Sequence, residues 1–208
     1  MRRLLVTVVF LLVAPLALAQ GGSGTVELTP TVGYWFGDSL GRGTDGSMQY
    51  DVMVDDAPAY GLRLAYNLSD SWAMEFLLSR ERADLIAGKD QLFGGKVKLG
   101  TIDLTAGEIG FAVGFGHRRL VPFLAAGVGG MHLDPRMAGT SSDTRFSANI
   151  GAGFKLFFSP DIALRFDWRV HGVDSGHSDH NCDWWEDCHD RREWIRFTEV
   201  ALGLSFAF

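Results

Sequence analysis

The sequence predicts an all-β fold, an eight-stranded antiparallel up-and-down transmembrane β-barrel. Three observations predict this fold: side chains alternate in polarity through most of the chain, short links alternate with long ones, and the final strand ends on an aromatic residue. In the final segment, IRFTEVALGLSFAF, every second residue from Val200 to Phe208 is apolar and the residues between them are small. Successive strand side chains point to opposite faces, so one face of this strand is wholly apolar. Such a face promotes aggregation in water but is stable against lipid when both strand edges are paired.

The first nineteen residues predict export. Two arginines precede an apolar run from Leu4 to Leu18, and the run ends on small residues at 17–19, the kind of site that a signal peptidase reads. The alternative is a membrane anchor, but Pro15 interrupts the run, which at about 15 residues is shorter than the ~20 that a spanning helix needs. We therefore expect a signal peptide over residues 1–19 and a barrel domain over residues 20–208.

The composition fits an exported barrel and opposes a nucleic-acid-binding role. Of 19 basic residues, loss of the two arginines in the signal peptide leaves 17 against 25 acidic residues. A chain this acidic is a poor partner for a polyanion. Glycine and aromatic residues are frequent, with 26 Gly, 15 Phe and 6 Trp. Glycine lets backbones approach closely inside a small barrel, and aromatic side chains favour the lipid interface. After the signal peptide, no apolar run is long enough for a membrane helix.

Eight segments alternate in the manner of strands. In the first, Pro30 lies on the apolar side, which predicts a slight irregularity because proline cannot donate a ladder hydrogen bond. In the fourth, the apolar residues change phase between Leu104 and Ile109, which predicts a bulge or a rim at 105–107. In the fifth, both faces are apolar or glycine, so the pattern does not decide which face points into the barrel. The predicted strands cover residues 26–36, 60–68, 72–79, 102–115, 121–133, 146–158, 162–171 and 195–208.

The links between these segments alternate in length. Short polar links lie near residues 69–71, 117–120 and 159–161, and long links lie near 37–57, 84–95, 134–143 and 172–193. We interpret the long links, including the one at 37–57, as surface loops. Short periplasmic turns and long external loops are typical of membrane β-barrels. An even number of strands with both termini on the short-turn side is also what a closed up-and-down barrel requires.

A row of charged side chains alternates with the apolar row and is expected to face the barrel interior. Four of these side chains are basic and five are acidic, so they can largely pair. An eight-stranded barrel has an interior just wide enough to be filled by its own side chains. We therefore favour a buried network of ion pairs, and the alternative is a narrow gated path for water, ions or small solutes. The predicted interior charges are Glu27, Arg63, Glu75, Glu108, Lys155, Arg165, Asp167, Arg169 and Glu199.

The last long link contains both cysteines of the protein, Cys182 and Cys188. Two cysteines in an exported chain most simply form a disulfide, here closing a small loop. The alternative is a transition-metal site, because thiolates and imidazoles suit zinc, and histidines with carboxylates would leave a weak site even after oxidation. Trp184 and Trp185 lie between the cysteines, where they form a contact patch for a surface ligand or pack over the barrel mouth. Apart from that metal alternative, the sequence predicts no cofactor. The histidines of this link are His177, His180 and His189.

The C-terminal strand resembles the terminal strand of bacterial outer-membrane proteins, with Gly203, Phe206 and Phe208 as the matching residues. Two glycine-rich segments, PFLAAGVGG at 122–130 and IGAGF at 150–154, resemble the small outer-membrane barrel family that includes the membrane domain of OmpA and the OmpX and OmpW types. The resemblance implies a monomeric barrel in contact with outer-membrane lipid and lipopolysaccharide. It also implies that the barrel-insertion machinery reads the terminal strand.

An enzyme is the main competing function. The lipid A deacylases are barrels of similar size that carry a catalytic His and Ser two residues apart on a late strand. The matching region here reads His171-Gly172-Val173, and no histidine in the chain is followed two residues later by serine. We therefore expect no enzymatic activity. The sequence favours a structural or surface-interaction barrel whose external loops bind a partner that the sequence does not identify.

Overall fold

The computed structural model describes residues 23–37, 39–45, 48–88, 96–116, 119–136, 141–179 and 191–208. These residues form ten β-strands, and every pairing between them is antiparallel. The strands are β1 (Val26–Phe36), β2 (Ser39–Asp45), β3 (Met48–Val54), β4 (Ala57–Asn67), β5 (Trp72–Gly88), β6 (Lys96–Gly114), β7 (Leu120–Pro135), β8 (Asp143–Phe157), β9 (Ile162–Asp179) and β10 (Arg191–Ala207).

Eight of the strands close into a barrel, which confirms the predicted fold. Around the ring the order is β1, β4, β5, β6, β7, β8, β9 and β10, and β10 pairs with β1 again. At the seam the backbone N–H of Phe208 donates to the carbonyl of Val26 at 2.9 Å, and the N–H of Val26 donates back at 3.2 Å. Pairing on both strand edges satisfies the backbone within the bilayer. In the described ranges, no helix is long and apolar enough to span a membrane.

The two ends of the barrel differ. The short-turn end carries the links that follow β4, β6 and β8, together with Val26 and Phe208. The opposite end, here called the long-link end, carries the links that follow β1, β5, β7 and β9. This arrangement confirms that the start of the first strand and the end of the last strand both lie on the short-turn side.

The long link at 37–57 is not the surface loop that the sequence predicted. It contains β2 and β3, which pair as a hairpin, and residues 51–54 of β3 pair with residues 85–88 of β5. Because β5 continues past the end of β4, this part of its edge would otherwise be unpaired, and β3 covers it. The hairpin thereby extends the barrel wall at the long-link end.

Two other long links are shorter than predicted because the strands beside them continue. β5 continues to Gly88, inside the predicted link at 84–95. β9 continues to Asp179 and β10 begins at Arg191, both inside the predicted link at 172–193. These continuations pair in antiparallel register, so the backbone ladder stabilises them. In β5 the buried side chains of Leu85 and Ile86 add apolar packing.

The predicted bulge at 105–107 is wrong. β6 pairs in unbroken register with both of its neighbours through this stretch. Ile102 and Leu104 do not face lipid but lie inside the barrel, at 2% and 1% exposure. The apolar residues change phase because the interior itself becomes apolar toward the long-link end. The register of β5 and β6 shifts elsewhere, between Leu85 and Ile86.

The structure fixes the phase of β7, which the sequence left open. Phe123 and Met131 face the interior and are buried, whereas Leu124 and Val128 face outward. The inward row also contains Gly127, whose missing side chain makes room for Asn149: a Cβ there would lie 2.8 Å from the Asn149 Nδ2 atom. Glycine on β7 thus permits the close packing of polar side chains in the interior.

Apolar side chains on the outer face form the belt that contacts lipid. On β5 this row runs from Trp72 to Leu78, and Arg80 and Arg82 follow on the same face. Because the apolar row ends at Leu78, the lipid-facing part of β5 ends near that residue. β5 has 17 residues, more than the about 9–11 residues of a tilted strand that cross a bilayer, so its remainder projects beyond the lipid belt at the long-link end.

The interior has two layers. Toward the short-turn end it is polar and charged. Toward the long-link end it is an apolar cluster in which side chains from seven ring strands and β3 pack together. The apolar cluster contains Trp35, Val54, Ala57, Ala59, Ala83, Leu85, Ile102, Leu104, Ala106, Met131, Leu133, Val173, Ile195 and Phe197.

Candidate functional site

The polar layer contains eight ionisable side chains in contact with one another, here called the central network. Four of them are successive inward residues of β9, because residues two apart on a strand share a face and the segment RFDWRVH places a polar residue at each such position. Each of the eight is at most 4% exposed. The members are Arg63, Glu75, Glu108, Arg165, Asp167, Arg169, His171 and Glu199.

Glu75 links two arginines of the opposite wall. Its Oε1 accepts a hydrogen bond from Arg165 Nη1 at 2.6 Å, and its Oε2 accepts one from Arg169 Nη2 at 2.7 Å. Asp167 accepts two hydrogen bonds from Arg165, from Nε at 2.8 Å and from Nη2 at 3.1 Å. Arg63 approaches the same carboxylate, with Nε 3.4 Å from Asp167 Oδ2. Charge-assisted hydrogen bonds of this kind are strong and fix geometry.

His171 completes the charge balance of the central network. Its Nδ1 lies 3.1 Å from Glu108 Oε2, and its Nε2 lies 3.1 Å from Glu199 Oε2. Both ring nitrogens donate only in the imidazolium form. The network otherwise has four carboxylates against three guanidinium groups, so an imidazolium at this position makes it neutral. His171 is not among the interior charges predicted from the sequence, although it continues the inward row after Arg169.

Neutral side chains satisfy the remaining oxygens of Glu108. Ser147 Oγ donates to its Oε1 at 2.8 Å, and Asn149 Nδ2 donates to its Oε2 at 2.8 Å. The other end of the Asn149 amide accepts a hydrogen bond from Arg169 Nη1 at 2.9 Å. A void of about 10 Å³ beside Glu75, Glu108 and Arg169 has room for roughly one water molecule. The network is packed rather than open.

The two remaining predicted charges, Glu27 and Lys155, form a separate pair nearer the short-turn end. Lys155 Nζ lies 2.6 Å from Glu27 Oε2, and Asn67 Nδ2 donates to Glu27 Oε1 at 2.9 Å. The pair lines an open bowl of about 500 Å³ at the short-turn end, together with residues such as Trp72 and Phe158. The structure therefore places all nine predicted charges inside the barrel, seven of them in the central network and two at this mouth.

Above the central network, the apolar cluster fills the barrel. Trp35 stacks on the imidazole of His171, with ring centroids 4.8 Å apart and planes inclined by 22°. Phe197 packs against the same indole at 5.7 Å. Between them, these rings cover the polar layer from the long-link side. A solute moving through the barrel would have to displace both the rings and the ion pairs.

Glu81 is the exception within the apolar cluster. Its side chain is buried, at 4% exposure, between Ala59 on β4 and Leu104 on β6. Neither carboxylate oxygen has a hydrogen-bond partner among the described residues. An unpaired buried carboxylate is costly, so this position is a weak point of the interior.

A second charged group lies on the outer face, beyond the lipid belt, and is here called the rim arginine cluster. It consists of Arg80, Arg82 and Arg136 around the carboxylate of Asp103. Arg136 Nη2 lies 2.7 Å from Asp103 Oδ2, Arg82 Nη2 lies 3.1 Å from it, and Arg80 Nη2 lies 3.5 Å from it. Hydrogen bonds from Arg82 and Arg136 lower the pKa of Asp103 below its ordinary value, that from Arg82 most strongly, although its small exposure opposes them. The carboxylate therefore stays ionised and holds the three guanidinium groups together.

The small loop that the predicted disulfide would close, here called the stapled loop, lies outside the described residues. Cys182 and Cys188, with Trp184, Trp185, His180 and His189, fall in the interval 180–190, and the backbone alone of His177 is described, within β9. The disulfide and the weak metal site therefore stay predictions. Among the side chains that the structure describes, no cluster of His, Cys, Asp or Glu has the makings of a metal site.

The terminal strand is packed closely against β1. Gly203 faces the interior, and a Cβ at this position would lie 2.6 Å from the carbonyl oxygen of Pro30 and 2.8 Å from the methyl groups of Thr29 and Thr31. Close approach of the first and last strands therefore requires glycine here. Recognition of Gly203, Phe206 and Phe208 by the insertion machinery stays a prediction.

Comparison with known proteins gives one family. The sequence model described as the outer membrane protein beta-barrel domain matches residues 4–208. No curated protein matches the chain.

Solved structures with the same fold include three membrane barrels. The outer membrane protein AlkL, determined in DMPC lipid bilayers, is 18% identical with a TM-score of 0.60, over 93% of this chain and 94% of AlkL. OprG from Pseudomonas aeruginosa is 14% identical with a TM-score of 0.59, over 91% and 98% of the two chains. Neisserial surface protein A is 12% identical with a TM-score of 0.57, over 90% and 99%. At these identities the likeness shows the fold alone.

Proposed function

Because the chain belongs to the outer membrane protein β-barrel domain family, and so lies in the bacterial outer membrane, we propose that it is a closed, non-conducting barrel whose external end binds a partner at the cell surface. In this orientation the short-turn end faces the periplasm and the long-link end faces outward, as is usual for membrane barrels. The protein acts as a monomer that is anchored by its lipid belt.

The main support for this proposal is the part of the barrel wall that lies beyond the lipid belt, formed by the end of β5 and the β2–β3 hairpin, here called the external wall. β5 continues from Leu78 to Gly88 beyond the lipid belt, which is roughly 30 Å of strand at 3.3 Å per residue. The β2–β3 hairpin pairs with that extension and enlarges the wall further. None of this structure is needed to cross the bilayer. An ordered surface outside the membrane is the kind of scaffold on which binding loops are positioned.

The interior favours a closed barrel over a small-solute channel. The central network is buried and internally paired, and the apolar cluster covers it on the external side. Breaking a buried ion pair costs roughly 3–5 kcal/mol. Transient opening of the network would break several such pairs at once, so conduction through the ring is opposed by a large free-energy barrier.

The stapled loop extends the proposed binding surface. Cys182 and Cys188 form a disulfide that presents Trp184 and Trp185 to a partner, because two cysteines in an exported chain pair most simply with each other. The leader at residues 1–19 is removed on export. The barrel-insertion machinery reads Gly203, Phe206 and Phe208 of the terminal strand.

The protein is proposed to have no catalytic activity. The lipid A deacylase pattern of a histidine followed two residues later by a serine does not occur in the chain. Mass spectrometry of lipid A from cells that express the protein would test this directly. An altered acyl chain pattern would replace the binding proposal with an enzymatic one.

The binding proposal is tested with the barrel in lipid nanodiscs, applied to an array of surface glycans and matrix proteins. The matched variant replaces residues 39–54 by a short Gly-Ser turn and leaves the eight ring strands intact. We expect binding of a defined probe by the native protein, weaker binding by the variant, and a conductance near zero in planar bilayers. Equal binding of all probes by both proteins, together with a steady conductance, would overturn the proposal in favour of a channel.

A further inference from the structure

We propose that the rim arginine cluster binds the phosphate groups of the phosphorylated lipid headgroup in the outer leaflet, that of lipopolysaccharide. The inference rests on the outer-membrane location and on the orientation given above, and it is independent of the surface partner proposed for the external wall. The site consists of Arg80 and Arg82 on β5 and Arg136 after β7, arranged around Asp103 on β6.

Donor geometry is the first argument. Asp103 is 5% exposed, whereas the side chains of Arg80, Arg82 and Arg136 are 66%, 59% and 52% exposed. One carboxylate offers two oxygens, but each guanidinium carries five N–H donors in a rigid fork. Five nitrogen atoms of the three arginines already lie within hydrogen-bond distance of Asp103. The guanidinium groups therefore retain donors that face outward, and Asp103 aligns them.

Phosphate fits these donors better than other anions. Guanidinium groups bind phosphate in a bidentate manner, and phosphate has enough oxygens to accept from several of them together. A carboxylate ligand would repeat what Asp103 already supplies. Three converging arginines are thus matched to a phosphate monoester.

The charge of the patch supports an anionic ligand. Lys98 pairs with Asp84 at 2.7 Å, so this pair adds no net charge. Asp134 lies opposite Asp103 across the β6–β7 ladder. Three arginines against two carboxylates leave a charge of +1, on a chain whose formal net charge is −6. His132, which precedes Asp134 by two positions on the same face of β7, is hydrogen-bonded to Thr144.

The height of the cluster selects a lipid as the source of the phosphate. Arg80 follows Leu78, the last lipid-facing residue of β5, by two positions on the same face. Tyr60 lies opposite Arg80 on β4 and is 66% exposed, as an aromatic residue at the membrane interface would be. The guanidinium groups therefore lie at the level of the headgroups next to the barrel. Headgroup phosphates of the outer leaflet reach this level without leaving the membrane.

The test titrates the folded barrel in detergent with bisphosphoryl lipid A and with its dephosphorylated form, and detects binding by native mass spectrometry. We expect the combined changes Arg80→Gln, Arg82→Gln and Arg136→Gln to weaken binding of bisphosphoryl lipid A by at least about tenfold, roughly one charge-assisted hydrogen bond. Arg196→Gln is the matched control, because Arg196 is exposed on the outer face of β10, on the far wall. Heat-dependent mobility in SDS confirms that each variant is folded. If the triple variant does not fold, Arg80→Gln alone provides a milder form of the test, because the 3.5 Å contact of Arg80 with Asp103 is the longest of the three.

Asp103→Asn separates an organised site from a diffuse field of charge. If Asp103 aligns the arginines, the variant binds bisphosphoryl lipid A more weakly although it is more positive. Stronger binding by the variant, or equal binding of phosphorylated and dephosphorylated lipid A, would overturn the proposal. Displacement of lipid A by millimolar inorganic phosphate would overturn the proposal and identify a free anion as the ligand. Displacement by polyglutamate would overturn it and identify an acidic protein as the ligand.

Discussion

Arg165 and Glu75 form an ion pair across the full width of the barrel. Their atoms Nη1 and Oε1 lie 2.6 Å apart, and their strands, β9 and β5, are separated by three strands in either direction around the ring. Neighbouring strands are joined by backbone hydrogen bonds, but opposite walls can be joined only by side chains. The pair therefore fills the lumen and ties the two walls together at once.

The first prediction concerns the removal of this tie. Glu75→Gln leaves Arg165 and Arg169 without their shared carboxylate, so the network keeps an uncompensated positive charge. We expect the free energy of unfolding to fall by about 3–5 kcal/mol. Urea unfolding in lipid vesicles would measure it. Asp143→Asn is the control, since the Asp143 side chain is exposed and its surface ion pair with Arg145 should contribute little to stability. Similar losses in the two variants would contradict a structural role for the central network.

The second prediction concerns the protonation of His171. Because both ring nitrogens lie 3.1 Å from carboxylate oxygens, we expect both to carry protons at pH 7. Nitrogen-15 chemical shifts of the histidine rings in nanodiscs report this directly. His132 is the internal reference, since its Nδ1 is hydrogen-bonded to a neutral group, the hydroxyl of Thr144, at 2.9 Å. A shift typical of an unprotonated nitrogen at His171 would show that the network carries a net negative charge.

Much of this architecture follows from the sequence, because a barrel imposes a strict two-residue period on every strand. That period assigned Glu75, Arg165 and Arg169 to the interior without knowledge of their partners. It failed at Ile102 and Leu104, where apolar residues face inward because the interior changes character along the axis. The pairing of distant residues could not be predicted either. It depends on the register of eight strands, and a shift of one residue would move each charge to the lipid face.

The external end was the least predictable part. The link at 37–57 is rich in glycine and polar residues, which made it read as a loop. β3 is stabilised by the exposed edge of β5, thirty or more residues later in the chain, and no local signal carries that information. The rim arginine cluster was missed for a similar reason. Asp103 and Arg136 are far apart in sequence and converge only because β6 and β7 pair.

The third prediction also replaces a buried glutamate by glutamine, but at Glu81, and here we expect the free energy of unfolding to rise rather than fall. Glu81 is buried in the apolar cluster and has no hydrogen-bond partner among the described residues. Burial raises the pKa of Glu81 to about 8, so at neutral pH the folded protein keeps a proton that the unfolded chain releases, and this difference lowers stability. Glu81→Gln removes this cost and keeps the shape, so we expect the free energy of unfolding at neutral pH to rise by about 1 kcal/mol. Urea unfolding in the same vesicles would measure it beside Glu75→Gln. A clear loss of stability would mean that the Glu81 carboxylate has a compensating partner.

The fourth prediction is a pH dependence at the rim arginine cluster. Hydrogen bonds from the arginines lower the pKa of Asp103 below its ordinary value of 3.8. A lowered carboxyl pKa adds stability that is fully present above the unfolded pKa and is lost as the pH falls through the folded pKa. The stability difference between the native protein and Asp103→Asn should therefore be constant from about pH 5 to 8 and shrink below about pH 4. Urea unfolding across this range would measure it, and a difference that shrinks already between pH 8 and 5 would contradict the lowered pKa.

The fifth prediction concerns Cys182 and Cys188. If they form the proposed disulfide, neither reacts with maleimide in the unreduced protein, and each reacts once after reduction. The bridge closes only a short loop, so its contribution to barrel stability is small. Replacement of both cysteines by serine should leave the heat-dependent mobility in SDS unchanged and weaken binding of the surface probe, because the loop between them loses its fixed shape. Immediate labelling of both thiols in intact cells would rule out the bridge and point to the metal site instead. In that case zinc should protect the thiols from maleimide, whereas a purely structural loop would gain no protection.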